Sequence, residues 1–374
     1  MNVILKSTLA CLCFLATAAC TDSSDGDGAP GAGGASNGGG AGKAGSSPTA
    51  GNGGAGAGGG SAGAGAGGAG AGGGSAGGGW TTEVLAKFDP AAGELPEGVA
   101  AKDGFAYVGF APLGEIARVD LRDGQSTRFA TLPKPVPNKG FMTGLTFGAD
   151  GSLYAALVSF DPSVQPGIYR VSPEGGDATL FAQDPGMVFP NGLLFGADGS
   201  LFVTDSAAGS IFKLDADGKV ATWAQSDLLV GDQNDCGGSG NGFSIGANDL
   251  VVHEGAFYVT NTDKGTVLRI AGDGRGAPGQ VETFAGPDCA ALAGADGLLA
   301  DEQGGLIVAV NRQNKVVRVK ADGSTEVVVT GATLDFPASL DWNGSTMIMT
   351  TFALANASSG KPAQPGLLSL TRTP

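Results

Sequence analysis

Short runs of alternating apolar and polar residues, separated by turns rich in Asp and Gly, make up most of the chain beyond residue 80. In PNGLLFGADGSLFVTDS, residues 190–206, two such runs flank an Asp-Gly turn, and GSIFKLDADGKVATWAQ, residues 209–225, repeats the arrangement. Alternation on both sides of an Asp-Gly turn is typical of a β-hairpin. Two hairpins in succession predict four short antiparallel strands, and no segment has a convincing amphipathic helical pattern.

Six segments share this shape and recur along the chain. They begin PEGVAAKDGFAYVGF, MTGLTFGADGSLYAAL, PNGLLFGADGSLFVTDS, ANDLVVHEGAFYVTN, ADGLLADEQGGLIVAV and PASLDWNGSTMIMTT. The residues at one common position near each start are Glu97, Thr143, Asn191, Asn248, Asp296 and Ala338, at steps of 46, 48, 57, 48 and 42 residues. Four antiparallel strands in a repeat of this length are typical of a propeller blade, so the sequence predicts an all-β, six-bladed β-propeller.

The two ends of the repeat region complement each other. TTEVLAKFD, residues 81–89, has the pattern of the fourth strand of a blade but precedes the first full unit. The last unit supplies only three strands and ends in PGLLSLTR. We therefore expect the N-terminal strand to complete the C-terminal blade, which would close the ring and remove two sheet edges.

The region before the repeats has a different composition. Residues 1–20 contain one Lys and an apolar stretch that ends in ATAAC, as an export signal does. This ending resembles a bacterial lipoprotein box, in which Cys20 is lipidated, although ordinary cleavage after an Ala is the alternative. Residues 21–79, nearly all Gly, Ala and Ser, have little to bury and predict a disordered linker. We expect a signal at 1–20, a linker at 21–79 and a propeller at 80–374.

The six residues at the common position, here called the ring position, indicate a chemistry. The ring position opens the first strand of each blade, which lines the central channel of a propeller, so the six side chains should meet at one mouth. Carboxylates from Glu97 and Asp296 and amides from Asn191 and Asn248 are hard oxygen ligands of the kind that Ca²⁺ prefers. The alternative is that Asn and Asp before Gly are turn residues, although a turn does not call for Glu97.

The ring motifs PEGVA, PNGLLF, NDLVV and ADGLLAD resemble those of the senescence marker protein/gluconolactonase group, part of a superfamily with strictosidine synthase-like proteins. The resemblance covers residues 80–374 and implies a six-bladed propeller with an axial Ca²⁺. The Glu, Asn, Asn and Asp ligands of the hydrolases in this group correspond to Glu97, Asn191, Asn248 and Asp296. It also implies hydrolysis of small esters or lactones, with Asp296 as general base or nucleophile.

Other polar residues are weaker candidates. Asp205, Asn261 and Asn311 should lie on the ligand face, at or just beyond the ends of second strands, where they would contact substrate or cap a loop. The chain has one histidine, His253, which should lie at the opposite mouth. A mechanism based on a pair of histidines is therefore excluded.

Cysteines and charge complete the sequence predictions. Cys11 and Cys13 leave with the signal, and Cys236 and Cys289 remain as a disulfide candidate between two loops on the ligand face; two free thiols are the alternative. The net charge of −15 argues against a nucleic-acid partner. We expect a monomer, anchored to a membrane through Cys20 and facing the periplasm or the cell surface. It would be a Ca²⁺-dependent hydrolase of a small-molecule substrate or, alternatively, a non-catalytic propeller that binds a sugar, peptide or protein around a structural ion.

Overall fold

The computed structural model describes residues 75–76, 79–238 and 243–373. The predicted signal, Cys20 and most of the predicted linker lie outside these residues. Within them, the strands form six antiparallel sheets, each built around four strands that follow one another from the axis outward. The prediction of an all-β, six-bladed β-propeller is confirmed.

The first strand of each blade contains its ring residue. In the order first to fourth strand, the blades are as follows: blade 1, Pro96–Lys102, Phe105–Phe110, Glu115–Asp120 and Ser126–Thr131; blade 2, Gly140–Phe147, Leu153–Ser159, Gly167–Val171 and Thr179–Ala182; blade 3, Pro190–Phe195, Leu201–Asp205, Ser210–Leu214 and Val220–Gln225; blade 4, Ala247–His253, Ala256–Asn261, Thr266–Ala271 and Val281–Ala285; blade 5, Ala295–Ala300, Leu306–Val310, Lys315–Val319 and Thr325–Thr330; blade 6, Pro337–Asn343, Thr346–Thr351, Gly366–Arg372 and Trp80–Lys87.

Blade 6 takes its outer strand from the other end of the chain. Trp80–Lys87 pairs antiparallel with Gly366–Arg372, and Trp80 lies opposite Arg372. The guanidinium of Arg372 lies 4.8 Å from the centre of the Trp80 ring. The same guanidinium forms an ion pair with buried Asp301 of blade 5. Backbone pairing therefore holds the N-terminal strand within blade 6, and an ion pair links blade 6 to blade 5.

Short elements decorate this framework. Ser75–Ala76 pairs antiparallel with Val329 and Thr330 at the outer edge of blade 5, inside the stretch that the sequence predicts to be a disordered linker. Backbone pairing along an edge needs no apolar side chain, which is why composition does not reveal it. Gly176–Asp177 pairs parallel to the outer strand of blade 1. Short helices also occur, at Cys289–Leu292 and Leu354–Ser358, with 3₁₀ turns at Pro90–Ala92, Asp235–Gly237 and Asn311–Gln313. None of the helices among the described residues is long and apolar enough to cross a membrane.

Glycines after the ring position let neighbouring blades approach at the axis. A Cβ on Gly144 would overlap the carbonyl oxygen of Asn191 in the next blade, and one on Gly297 would overlap that of Ala338. Neither glycine has a positive φ. These glycines are therefore needed for close packing of the first strands rather than for turns, and they bring the ring side chains together.

Candidate functional site

Four polar ring side chains meet on the axis. Glu97, Asn191, Asn248 and Asp296 are each at least nine-tenths buried, and all four border both a cavity of about 380 Å³ and a narrower one of about 130 Å³. The larger cavity is bordered by loops of the ligand face, whereas the narrower one runs along the first strands. The four side chains thus separate two parts of the central channel.

The alternative that these are turn residues does not describe the structure. All four lie inside first strands, at the second position from the N-terminal end. None of them has the positive φ that would favour Asn or Asp in a turn. Their polarity is therefore not explained by local backbone conformation.

The two asparagine side chains are oriented by hydroxyl groups. Asn191 Nδ2 donates to Ser206 Oγ at 3.1 Å, and Asn248 Nδ2 donates to Thr262 Oγ1 at 2.9 Å. Because the amide nitrogen of each Asn is held on one side, the amide oxygen is left as the acceptor that faces away from the hydroxyl. Each hydroxyl in turn donates to the chain just before the next ring residue, Ser206 to the Ala247 carbonyl at 2.7 Å and Thr262 to the Ala295 carbonyl at 2.8 Å.

A second set of hydroxyls fixes the backbone of the ring residues. Thr260 Oγ1 donates to the carbonyl oxygen of Asp296 at 2.7 Å, and Thr350 Oγ1 donates to that of Glu97 at 2.7 Å. Thr204 makes the corresponding bond to the carbonyl oxygen of Asn248. All three threonines are fully buried and reach from one blade to the next. The ring residues are therefore positioned by buried hydrogen bonds between blades, which a solvent-exposed turn would not need.

The two carboxylates differ in their partners. Asp296 Oδ2 accepts a hydrogen bond from Asn311 Nδ2 at 2.7 Å, whereas Glu97 Oε2 is buried and has no hydrogen-bond partner among the described residues. Burial raises the pKa of Asp296 to about 7 against the opposing effect of the Asn311 hydrogen bond. Burial, followed by the negative charges of Asp296 and Asp249, raises the pKa of Glu97 well above its ordinary value. A buried acceptor and clustered negative charge are what a bound cation would stabilise.

Blades 2 and 6 contribute differently to the ring. Thr143 is buried, and its hydroxyl donates to the Pro190 carbonyl at 2.9 Å. Ala338 offers no polar side chain. The described residues contain no cluster of three or more His, Cys, Asp or Glu side chains suited to a metal ion. A cation at this ring would therefore depend on the amide oxygens as well as on the two carboxylates.

The three residues predicted near the substrate have distinct surroundings. Asp205 is fully buried and accepts four backbone N–H bonds, two of them from Val188 and Phe189. Asn261 is fully buried and donates to the carbonyl oxygens of Leu228 and Val230. These two side chains hold loops, whereas Asn311 contacts Asp296 and borders the larger cavity.

The remaining predicted residues lie as follows. Cys236 and Cys289 form a disulfide that joins the loop before blade 4 to the loop before blade 5. His253 ends the first strand of blade 4, at the far end from Asn248, and its nearest charged neighbour is Glu254 at 3.9 Å. The histidine is therefore separate from the ring.

Sequence reasoning missed Ser206 and Thr262, which orient the two asparagines. The signal was present in the repeat, because Ser206, Thr262 and Asn311 follow their ring residues by 15, 14 and 15 positions. In each blade, the residue just before the ring residue pairs with a residue at the end of the second strand. Ser206, Thr262 and Asn311 each come directly after that second-strand residue. A comparison of second strands across the blades would have found this set.

Six phenylalanines border the larger cavity: Phe141, Phe160, Phe189, Phe243, Phe336 and Phe352. Phe189 packs between Phe141 and Phe243, with ring centres 5.2 Å apart in both pairs. Arg312, also at this wall, donates to Asp263 Oδ1 at 2.7 Å and to the Gly238 carbonyl. The polar ring thus lies at one end of a cavity whose wall is mainly apolar.

The geometry defines a six-bladed propeller with a ring of buried, oxygen-bearing side chains at one mouth of its channel, and comparisons with known proteins show what the chain is similar to. Residues 90–249 match the model of the SMP-30/Gluconolactonase/LRE-like region. The match includes Glu97, Asn191 and Asn248 and confirms the resemblance over this part of the chain, and it ends before Asp296. Among curated protein sequences, none matches the chain significantly.

Solved structures with the same fold include several enzymes and a calcium-binding protein. Regucalcin from Agrobacterium tumefaciens, described as calcium-binding, is 19% identical with a TM-score of 0.55, over 78% of this chain and 93% of that one. The luciferin-regenerating enzyme is 16% identical with a TM-score of 0.55, over 78% and 95%. Virginiamycin B lyase from Staphylococcus aureus is 15% identical with a TM-score of 0.51, over 78% and 99%. At these identities the similarity shows the fold alone.

Proposed function

We propose that the protein is a Ca²⁺-dependent hydrolase of small esters or lactones. The observation that carries this proposal is the arrangement of Asn191 and Asn248, whose amide nitrogens are both held by hydroxyls so that their oxygens complement the carboxylates of Glu97 and Asp296. The family match to an SMP-30/Gluconolactonase/LRE-like region supports a lactonase-like propeller. The cavity of about 380 Å³ beside the ring has the size of a small-molecule pocket.

The residues present fit a divalent cation. Glu97, Asn191, Asn248 and Asp296 would hold it, because they supply only oxygen ligands and include a buried carboxylate oxygen without a described partner. When bound, the cation would polarise the substrate carbonyl as a Lewis acid and lower the pKa of a water molecule. Another divalent cation that prefers oxygen would fit the same set of ligands.

The chain's own groups supply the rest of the reaction. Asn311 donates to Asp296 Oδ2 and orients the Asp296 carboxylate, which would accept a proton from the attacking water. The water oxygen bonds to the carbonyl carbon, the ester C–O bond breaks, and the departing alkoxide oxygen takes up the proton. A lactone thereby becomes a hydroxy acid. The apolar wall excludes bulk water while this takes place.

We further propose that the protein acts outside the cytoplasm as a monomer, anchored to a membrane through lipid on Cys20. The disulfide between Cys236 and Cys289 supports export, because disulfides persist mainly in oxidising compartments. Cys20→Ser should move the protein from the membrane fraction to the soluble fraction. Retention of this variant in the membrane fraction would contradict the anchor.

Thermal melting and hydrolysis, each with chelator and with added Ca²⁺, test the main proposal. Binding to the folded state alone stabilises it by about 2.7 kcal/mol at a hundredfold excess of ligand over Kd. We expect this stabilisation in the parent and in Thr143→Ala, and its loss in Glu97→Gln. We also expect Ca²⁺-dependent hydrolysis of a small lactone. Stabilisation without hydrolysis of any lactone or ester would favour a binding propeller with a structural ion instead, and no stabilisation would contradict the metal site.

A further inference from the structure

We propose that the substrate carries an apolar alkyl or aryl group, which binds among the phenylalanines of the larger cavity while its ester or lactone carbonyl lies at the ring. This inference rests on the proposed hydrolase function, because it names the substrate class for the same site. One cavity is bordered at one end by Glu97, Asn191, Asn248 and Asp296 and along its wall by six phenylalanines.

The apolar wall is built into the repeat itself. Two residues before the ring position stand Leu95, Phe141, Phe189 and Phe336 in blades 1, 2, 3 and 6, and all four border the cavity. In blades 4 and 5 this position is Gly246 and Gly294. The four polar ring residues border the same cavity, so ring residues and wall residues face the same space. A third of the chain's 18 phenylalanines border this one cavity, which makes an incidental apolar lining a poor explanation.

Two buried polar side chains of the wall, Thr262 and Arg312, already have partners, whereas Asn311 Oδ1 is buried and has none among the described residues. Thr262 accepts from Asn248 and donates to the Ala295 carbonyl. Arg312 is held by the Asp263 carboxylate and by the carbonyl oxygens of Gly238 and Thr262. Asn311 Oδ1 could accept from one hydroxyl of a sugar lactone, but the other hydroxyls would lose water without gaining equivalent partners, which disfavours binding. An alkyl or aryl group loses nothing in the same environment.

Two phenylalanines are held in place by a strained segment of blade 6. Phe336 has a φ of 57°, although it is bulky and precedes Pro337. Both features disfavour this conformation. Asn314 Oδ1 accepts from the Phe336 amide at 2.9 Å, and the Phe336 carbonyl accepts from the Phe352 amide at 2.9 Å. Strain that persists because surrounding bonds impose it is concentrated at functional sites, and here it presents two aromatic rings to the cavity.

The experiment measures kcat/KM of the purified chain with Ca²⁺ for γ-lactones of increasing alkyl length and for glucono-δ-lactone. We expect kcat/KM to rise about fourfold for each added methylene until the cavity is filled, which corresponds to about 0.8 kcal/mol per buried CH₂. Glucono-δ-lactone should be at least tenfold poorer than the best γ-lactone. Phe243→Ala should flatten the series, whereas Phe105→Ala should not. The Phe105 ring lies against Arg118 on blade 1 and does not border the cavity.

A binding measurement separates this inference from the hydrolase proposal. Fluorescence of N-phenyl-1-naphthylamine in chelator should report binding that Phe243→Ala weakens, Phe105→Ala preserves and a long-chain γ-lactone displaces. This pattern without any hydrolysis would support the apolar cavity and contradict the hydrolase. Hydrolysis with a flat chain-length series, or with glucono-δ-lactone as the best substrate, would support the hydrolase and overturn the inference. Failure of the probe to bind, together with a flat series, would overturn it as well.

Discussion

Blades 3, 4 and 5 use the ring position differently from blades 2 and 6. In the first group the ring residues are Asn191, Asn248 and Asp296, and in the second they are Thr143 and Ala338. The neighbouring position on the second strand changes with them: Ser206, Thr262 and Asn311 in the first group, Val158 and Phe352 in the second. In blades 3, 4 and 5 the ring side chain thus comes with a hydrogen-bonding neighbour, whereas in blades 2 and 6 the neighbour is apolar, as is Ala111 beside Glu97 in blade 1.

The comparison shows that one strand framework supports two kinds of surface. Five of the six first strands begin one residue before the ring position and that of blade 2 begins three residues before it; the glycines that follow four of the ring residues let the blades approach at the axis. On this common frame, blades 3, 4 and 5 form a polar side of the ring with oriented side chains, and blades 2 and 6 form an apolar side that continues into the aromatic wall, which also includes Phe189 of blade 3. In the proposed function, the polar side holds the cation, and the apolar side with the rest of the wall holds the apolar part of the substrate.

Asp296→Asn should have the largest effect, because it removes a carboxylate ligand and the proposed proton acceptor from the polar side. We expect kcat to fall by roughly 10²- to 10⁴-fold, the range for loss of a general base. Thr143→Val, at the same strand position in blade 2, should change kcat by less than about threefold. Steady-state hydrolysis at saturating Ca²⁺ is the measurement. Equal losses in both variants would mean that the two sides of the ring do not differ in function.

The disulfide should have the next largest effect, on folding. It joins residues 53 apart in the sequence and ties together the loops that lead into blades 4 and 5. In the chain-entropy account, closing such a loop stabilises the folded state by about 2–4 kcal/mol. Urea unfolding of Cys236→Ser/Cys289→Ser should show a loss of this size, and reduction of the parent should reproduce it. A double variant as stable as the parent would show that the loops hold together without the bond.

The repeat made the fold and the ring position predictable from sequence. A structural unit that occurs six times leaves the same pattern of apolar residues and turns each time, so the ring positions could be aligned without any structure. The roles of Asp205 and Asn261 could not be predicted, because a buried side chain that accepts from or donates to a distant loop looks the same in sequence as one that faces a ligand. The direction of each amide was equally hidden, since it depends on hydroxyls at another repeat position.

Two misleading features have physical reasons. Asn191 and Asp296 precede Gly and so resemble turn residues, but Gly192 and Gly297 are required by the close approach of the next blade. The aromatic wall was overlooked because its members fall in loops or at strand ends, where single phenylalanines carry little information. Three of the six, Phe141, Phe189 and Phe336, share the position two residues before the ring, and an alignment of the blades would have shown this.

Thr262→Val tests whether a neighbouring hydroxyl orients the polar side of the ring. The variant leaves the Asn248 amide without its partner, so the amide can rotate and present nitrogen to the ion. Loss of an outer hydrogen bond of this kind typically weakens metal binding 10- to 100-fold. Calorimetric titration with Ca²⁺ is the measurement, and Thr262→Ser, which keeps the hydroxyl, should restore most of the affinity. Equal Ca²⁺ affinity in the parent and Thr262→Val would contradict the positioning role.

Phe336→Gly is compared with Phe141→Gly, and the difference between these two variants of the apolar side should be the smallest effect. Phe336 and Phe141 occupy the same repeat position and are both half-buried, but only Phe336 has a positive φ. Glycine relieves the cost of that conformation, roughly 1–2 kcal/mol for other residues, so Phe336→Gly should destabilise the fold less than Phe141→Gly by about that amount. Urea unfolding of the two variants measures the difference. Both should still lower kcat/KM for long-chain lactones, since each removes a ring from the cavity. If the two variants lose the same stability, the strain at Phe336 is not stored in its backbone, and blade 6 presents its aromatic rings at no conformational cost.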